Sequence, residues 1–294
     1  MLGAPGFSDQ QTVEFNIAGY ALKLPSKHPL LEFLNPQSRQ FQPYRESGLI
    51  KTVQALERLG RKGTALDIGA NVGDSCAVIH RHGGLRIVSL EPSDFFFGYL
   101  AQNIARHFSD RATARQAFVL AKADEEPRGL YHWGGTARAV AQPFTEKSES
   151  VTISQLLADV PDLALLKVDI DGLDIELVAA ALESNPNWPI YFELEFSGNG
   201  LDEVRSHCAQ ALALFARAKA GGYGAAFLWD DRGRFYGQLA LGDASGLMNA
   251  LNYMGHFHDR SIWGFDVLLV PESDAALLGE LRKSLSQDAA VPLA

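Results

Sequence analysis

The chain has 294 residues, of which 47% are hydrophobic and 21% charged, so a soluble fold with a core of normal size is expected. Its net charge of −9 and pI of about 5.4 argue against a nucleic-acid-binding surface.

The first ten residues, the apolar windows and the two cysteines indicate the location of the protein and the state of its thiols. The first ten residues lack a positively charged segment followed by an apolar one, and no window of about 18 apolar residues occurs. We therefore expect no signal peptide, no membrane span and a cytoplasmic location. Cys76 and Cys208 have no metal-binding spacing, and we expect two reduced thiols.

The N-terminal residues 1–60 are predicted to form a small cap. Residues Thr12–Leu24 alternate apolar and polar side chains around one glycine, which predicts a hairpin. Residues 26–60 are predicted to be mostly helical after Pro29, because apolar residues recur on one helical face at Leu49, Val53, Leu56 and Leu59.

From Thr64 onward, strand-like and helix-like segments alternate, with a loop-rich stretch at 125–150. The predicted strands are Thr64–Ile68, Arg86–Leu90, Ala112–Leu120, Leu163–Asp169, Ile190–Phe196, Gly224–Trp229 and Phe265–Val270. The predicted helices are one after Gly73, Phe95–Phe108, Ser154–Asp159, Ile175–Glu183 and Asp202–Ala220.

This rhythm predicts an α/β fold with a doubly wound, mostly parallel, seven-stranded sheet over residues 61–275. The last two strands have no helix of standard length between them, so we expect an antiparallel pair at the sheet edge. Residues 276–294 are expected to form a C-terminal helix or tail.

The most informative segment is Thr64–Asp74, TALDIGANVGD, in which a strand runs through Gly69, Asn71 and Gly73 into a helix. Glycines let the backbone approach a ligand closely. The spacing is not the Gly-x-Gly-x-x-Gly of dinucleotide-binding turns, and Asp67 precedes it. Asp67 or a nearby carbonyl could receive the ammonium group of a ligand, and the amino-acid end of S-adenosylmethionine carries such a group.

The second strand ends at Glu91, 22 residues after Gly69. An acidic residue about 20 residues past the glycine turn can hydrogen-bond both ribose hydroxyls of a nucleoside cofactor. The alternative is a solvated carboxylate at a strand end.

Three ordered blocks, DIGANVGD, LEPS with a following apolar helix through Asn103, and LLKVDIDGLDIELV, resemble the FkbM-type methyltransferases. The resemblance implies the class I (Rossmann-like) fold, S-adenosylmethionine as cofactor, and methyl transfer to hydroxyls of sugars, glycolipids or natural products. It places Gly69, Asn71 and Gly73 on the methionine part and Glu91 on ribose. Gln116 and Ala117 fall where class I enzymes contact adenine.

Acidic residues at two later strand ends are candidates for the chemistry. Asp169 ends the fourth strand, at the edge of the cofactor crevice, and is expected near both the sulfonium and the acceptor. Glu193 and Glu195 lie on one face of the fifth strand. Asp169 with Glu193 could act as base and orienter or hold a divalent cation, or the glutamates could simply pair with Lys167.

Neighbouring residues are weaker candidates. Asp171 stands where the family more often has Glu or Gln, and Asp174 at the next helix could be a cap. His132 could be a base near neutral pH. His256 and His258 lack a third metal ligand. Aromatic residues near the strand ends could form a platform for an acceptor: Tyr131, Trp133, Trp229, Tyr236, Tyr253, Phe257 and Trp263.

The sequence thus favours an S-adenosylmethionine-dependent O-methyltransferase acting on a small-molecule or glycan acceptor, with a homodimer as the default assembly. Two alternatives stay open, an NAD(P)-dependent oxidoreductase on a similar fold and a non-catalytic S-adenosylmethionine-binding module. Neither a dinucleotide motif nor a Tyr-x-x-x-Lys relay supports the first. Asp171 and the lack of an obvious base keep the second open.

Overall fold

The computed structural model of the chain describes residues 11–133, 135–184, 186–195, 201–243, 245, 246, 249 and 264–288. The strands are β1 (Thr12–Ile17), β2 (Tyr20–Pro25), β3 (Thr64–Ile68), β4 (Arg86–Leu90), β5 (Ala112–Arg115), β6 (Ala117–Leu120), β7 (Arg128–Trp133), β8 (Thr136–Pro143), β9 (Glu149–Thr152), β10 (Leu163–Val168), β11 (Ile190–Glu195), β12 (Tyr223–Asp230), β13 (Phe235–Ala240) and β14 (Gly264–Pro271). The helices are α1 (Leu30–Phe33), α2 (Ser47–Arg58), α3 (Asp74–His82), α4 (Asp94–His107), α5 (Ile153–Asp159), α6 (Asp174–Leu182), α7 (Leu201–Ala220) and α8 (Ala275–Asp288).

The central sheet has eight strands in the order β13-β12-β14-β11-β10-β3-β4-β5. Strands β5, β4, β3, β10 and β11 are mutually parallel, and β14 runs antiparallel between β11 and β12. This is the class I methyltransferase sheet, with β13 added at its edge. The predicted fold class and the antiparallel pair are therefore confirmed, whereas the sequence had not indicated β13.

The chain first winds outward from β3 to β5 and then returns to β10, on the other side of β3. Such a reversal leaves a crevice beyond the carboxyl ends of the strands, where doubly wound folds bind ligands. Helices α2, α3 and α8 pack together over one core, and α5, α6 and α7 over another. All five residues of β3 are buried, as expected for a strand covered on both faces.

The segment after β4 differs from the prediction. The prediction of one continuous strand over Ala112–Leu120 was wrong, because the chain leaves the main sheet at Gln116. The following strand, β6, pairs in parallel with β9 in a separate two-stranded sheet. The loop-rich reading of 125–150 was also wrong, because β7 and β8 form an antiparallel hairpin whose turn contains Gly135 at φ 91°.

The cap is less helical than predicted, because only α1 and α2 are α-helical between residues 26 and 60. Its hairpin is tied to the main domain through the buried side chain of Asn103. Asn103 accepts a hydrogen bond from the Lys23 amide (2.8 Å) and donates to the carbonyls of Lys23 (3.0 Å) and Val72 (2.9 Å). Asn103 thus connects the cap to the glycine turn.

Within the described part of the chain, Cys76 and Cys208 are both free thiols, as expected. No described helix has the length and apolar character that crossing a membrane would need.

Candidate functional site

A cavity of about 260 Å³ lies at the carboxyl ends of β3, β4, β10 and β11, between the sheet, the cap and the β7–β8 hairpin. Its two sides differ chemically. Toward β4 and the hairpin it is lined by apolar side chains, including Leu90, Phe118 and Leu130. Toward β11 and β14 it is lined by carboxyl groups, including Asp169, Glu193 and Asp266. The cavity therefore pairs an apolar slot with an acidic wall.

The glycine turn borders the cavity through Gly69 and Asn71, while Gly73 begins α3 outside the lining. Gly69 has φ 79°, and a Cβ atom there would lie 1.7 Å from the Asp169 carbonyl oxygen. Only glycine fits, because the end of β10 passes so close. Gly73 also has a positive φ, 94°.

Glu91 is 4% exposed and holds the glycine turn in place. One carboxylate oxygen accepts the Asn71 amide (3.0 Å) and the other accepts the Ser93 amide (2.9 Å). Burial raises the pKa of Glu91 to about 7, although these two amides oppose the shift. Each oxygen still has acceptor capacity on the cavity side.

The Asn71 side chain, by contrast, forms hydrogen bonds within the protein. Its amide nitrogen donates to the Gly135 carbonyl (2.9 Å) in the hairpin turn, and its oxygen pairs with His28 Nε2 (3.3 Å) in the cap. The Leu30 amide donates to His28 Nδ1 (3.4 Å), so the proton is assigned to Nε2. Asn71 therefore joins the cap, the turn and the hairpin.

Asp67 lies behind the cavity wall, at 0% exposure. It accepts hydrogen bonds from Ser75 (2.8 Å) and Ser89 (3.1 Å) and pairs with Lys167 Nζ at 3.3 Å. The predicted contact of Asp67 with a ligand ammonium is thus not what this geometry offers. The carboxylate fixes the strand end and Lys167 instead.

Lys167 is buried and connects β10 to the turn. Its ammonium also reaches Asp169 (3.2 Å) and the Gly69 carbonyl (3.3 Å). Burial alone would lower the pKa of Lys167, but Asp169 and Asp67 outweigh it and raise the pKa. Lys167 thus pairs with aspartates, not with Glu193.

Asp169 and Glu193 lie together on the cavity wall. Burial and the neighbouring Asp169 charge raise the pKa of Glu193 well above its usual range. Burial would raise the pKa of Asp169 as well, but Lys167 and Glu193 hold it below its ordinary value. The Asp169 side chain is 43% exposed.

Asp171 and Asp174 have different roles. Asp171 lines the cavity with φ 38° and accepts a hydrogen bond from Thr136 of the hairpin. Asp174 is buried at the start of α6 and accepts the amides of Ile170 (3.0 Å) and Gly172 (3.3 Å). Asp174 is the first residue of α6, but its carboxylate holds the preceding loop and does not cap the helix, so the capping alternative was wrong.

His132 and Gln116 are not brought to the cavity lining. His132 Nε2 lies 2.6 Å from Ser93 Oγ, beside the rings of Phe95 and Phe96. Burial lowers its pKa. Gln116 donates to Asp94 (2.5 Å), whereas the next residue, Ala117, lines the apolar slot.

Several aromatic and histidine candidates are placed elsewhere. Trp229 is a core residue that stacks on Phe227. Tyr131 and Tyr236 are exposed. Tyr253, His256, Phe257, His258 and Trp263 lie outside the described residues. For Glu195 and Trp133 the structure describes the strand but not the side chain.

Sequence reasoning missed the residues that the cap and the last strands bring to the cavity, namely His28, Arg45, Glu46, Tyr191 and Asp266. None belongs to a recognisable motif. For Asp266, the only available signal was a polar residue inside the apolar strand FDVLLV.

Comparisons with known proteins found only distant structural similarity. No family model and no curated protein matches the chain. Similar solved structures include an O-methyltransferase from Bacillus cereus in complex with SAH (15% identity, 76% of this chain, 80% of that chain, TM-score 0.42). A precorrin-6y C5,15-methyltransferase from Geobacter metallireducens (11%, 76%, 87%, 0.39) and cofactor-bound Rv0187 from MTB (14%, 84%, 98%, 0.43) are also similar. These likenesses are distant, so the class I assignment rests on this chain's own strand order.

Proposed function

We propose that the chain is an S-adenosylmethionine-dependent methyltransferase of the FkbM type that methylates a hydroxyl of a sugar, glycolipid or natural product. The observation that carries the proposal is the hydrogen bond between Glu91, at the end of β4, and the Asn71 amide in the glycine turn after β3. It joins the two cofactor-binding elements of a class I sheet at its switch point.

The residues present fit this cofactor. Glu91 offers free lone pairs to two ribose hydroxyls, and Ala117, Phe118 and Leu130 give an apolar slot for a flat base. Asp169, half-exposed at the acidic wall, offers a carboxylate to the ammonium group. An NAD pyrophosphate, with two negative charges, has no such match against this wall.

Bound S-adenosylmethionine supplies a methyl group on a positively charged sulfur. Methyl transfer to an acceptor hydroxyl would also require a group of the protein to take the hydroxyl proton. Asp169 and Glu193 both line the cavity, so this carboxyl pair is placed to take the proton. Lys167 keeps Asp169 oriented through its 3.2 Å contact.

Calorimetric titration with S-adenosylhomocysteine, beside NAD, tests the proposal. Wild-type protein should bind S-adenosylhomocysteine alone, and Glu91→Gln should weaken binding about tenfold, because a charge-assisted hydrogen bond contributes about 1.5–3 kcal/mol. Glu176→Gln, an exposed carboxylate on α6, is the matched control. Binding of NAD instead, or no binding by folded protein, would contradict the proposal.

A further inference from the structure

The acidic wall of the cavity carries two carboxyl groups that face each other across neighbouring strands. Glu193 on β11 and Asp266 on β14 are direct register partners in the antiparallel pairing. Side chains in such pairs project from the same face of the sheet. Both residues line the cavity, and no described lysine or arginine forms an ion pair with either.

Two cations border this wall, and neither forms a described ion pair with Glu193 or Asp266. Lys167 directs its contacts to Asp67, Asp169 and the Gly69 carbonyl. Arg45 of the cap donates to Gln42 at 3.2 Å and lies 3.7 Å from Glu46, and its charge reaches Glu193 and Asp266 only at longer range. The Glu193–Asp266 pair is therefore left without a direct cation contact among the described residues.

An independent observation on the same wall concerns Tyr191, two residues before Glu193 on β11. Tyr191 is 2% exposed and lines the cavity, and its hydroxyl has no partner at normal hydrogen-bond geometry among the described residues. It stands beside Asp266, whose pKa burial raises to about 8. A buried hydroxyl without a hydrogen-bond partner is destabilising unless a ligand satisfies it.

We infer that Tyr191, Glu193 and Asp266 form the acceptor subsite and bind a protonated amino group next to the hydroxyl that receives the methyl group. An ammonium has three N–H donors, and the subsite offers three oxygen-bearing side chains. Described His, Cys, Asp and Glu side chains form no three-membered group placed for a metal ion, which favours an organic cation. The inference rests on the proposed function and names its substrate class.

The amino group is a binding handle and stays protonated. The methyl group passes from sulfur to the neighbouring hydroxyl oxygen, and the hydroxyl proton passes to the Asp169–Glu193 pair. The proximity of the ammonium also favours loss of the hydroxyl proton, since it stabilises developing negative charge on oxygen.

The experiment compares sugars that differ only at one position. Protein saturated with S-adenosylhomocysteine is titrated with D-glucosamine, D-glucose and N-acetyl-D-glucosamine, with binding followed by NMR. We expect glucosamine to bind at least about tenfold more tightly than either neutral sugar, because a charged hydrogen bond contributes about 1.5–3 kcal/mol. Asp266→Asn should remove this preference while leaving S-adenosylhomocysteine affinity unchanged.

Glu193→Gln is the second variant, should Asp266→Asn not fold, and Glu176→Gln is again the control. Equal binding of the three sugars, no glucosamine binding by the loaded protein, or a preference that survives both variants would overturn the inference. Failure to bind S-adenosylhomocysteine would instead refute the proposed function itself, and the two failures are thus distinguishable.

Discussion

Asn71 offers a direct test of how the cavity is held together. Replacing it with alanine removes the hydrogen bonds to Gly135 (2.9 Å) and His28 (3.3 Å). At about 1 kcal/mol each, their loss costs about 2 kcal/mol of unfolding free energy. Asn71 also has φ 47°, where alanine is less favourable than asparagine by about 1 kcal/mol. We therefore expect Asn71→Ala to lose about 3 kcal/mol in urea unfolding.

The matched variant is Asn71→Gly, which removes the same hydrogen bonds but adopts a positive φ without strain. It should lose about 2 kcal/mol, less than alanine. Amide exchange in the β7–β8 hairpin should accelerate in both variants, because the hairpin turn loses its tie to the glycine turn. A glycine variant as stable as wild type, or unchanged exchange in the hairpin, would refute the reasoning.

Three further predictions concern the charged groups. Binding of S-adenosylhomocysteine should weaken about tenfold from pH 8 to pH 6. Burial raises the pKa of Glu91 to about 7, and Glu91 must be ionised to accept hydrogen bonds from both ribose hydroxyls. An affinity that does not change with pH would contradict this prediction. Lys167→Met should cost about 3–5 kcal/mol in urea unfolding by leaving Asp67 buried and unpaired, and Asp67→Asn in the same chain should restore much of it. Asp266→Asn should raise the melting temperature by more at pH 8 than at pH 5. Burial raises the pKa of Asp266 in the folded state to about 8, so the folded state binds more protons than the unfolded state, and wild-type stability falls as the pH rises between the two pKa values. An equal gain in melting temperature at both pH values would contradict this prediction.

The central strands and the glycine turn could be predicted from the sequence because each follows a local pattern. Thr64–Ile68 and Arg86–Leu90 have the predicted bounds, since short apolar runs before turn residues mark buried strands. The β7–β8 hairpin was missed although Gly134-Gly135 is a recognised two-residue turn signal. Its tip borders Pro29 of the cap, a contact no local pattern contains.

The acidic wall could not be predicted in the same way. Glu193 is a candidate because of its place on one face of the fifth strand. Its partner Asp266 is 73 residues further along the chain, and their pairing depends on the β11–β14 register. The break after Arg115 is equally non-local, because β6 finds its partner in β9. Local periodicity carries no information about which strands pair.

The pairing of Asp67 with Lys167 bears on how the chain is made. The ribosome delivers Asp67 100 residues before its partner, which at about 5–20 residues per second is a delay of about 5–20 seconds. During that time β3 has no β10 beside it, and the Asp67 carboxylate lacks the Lys167 ammonium with which it pairs when buried. The glycine turn, although encoded early, is therefore completed only after the second half of the sheet emerges. Chains stalled before Lys167 should be protease-sensitive at the very segment that is most deeply enclosed in the finished protein.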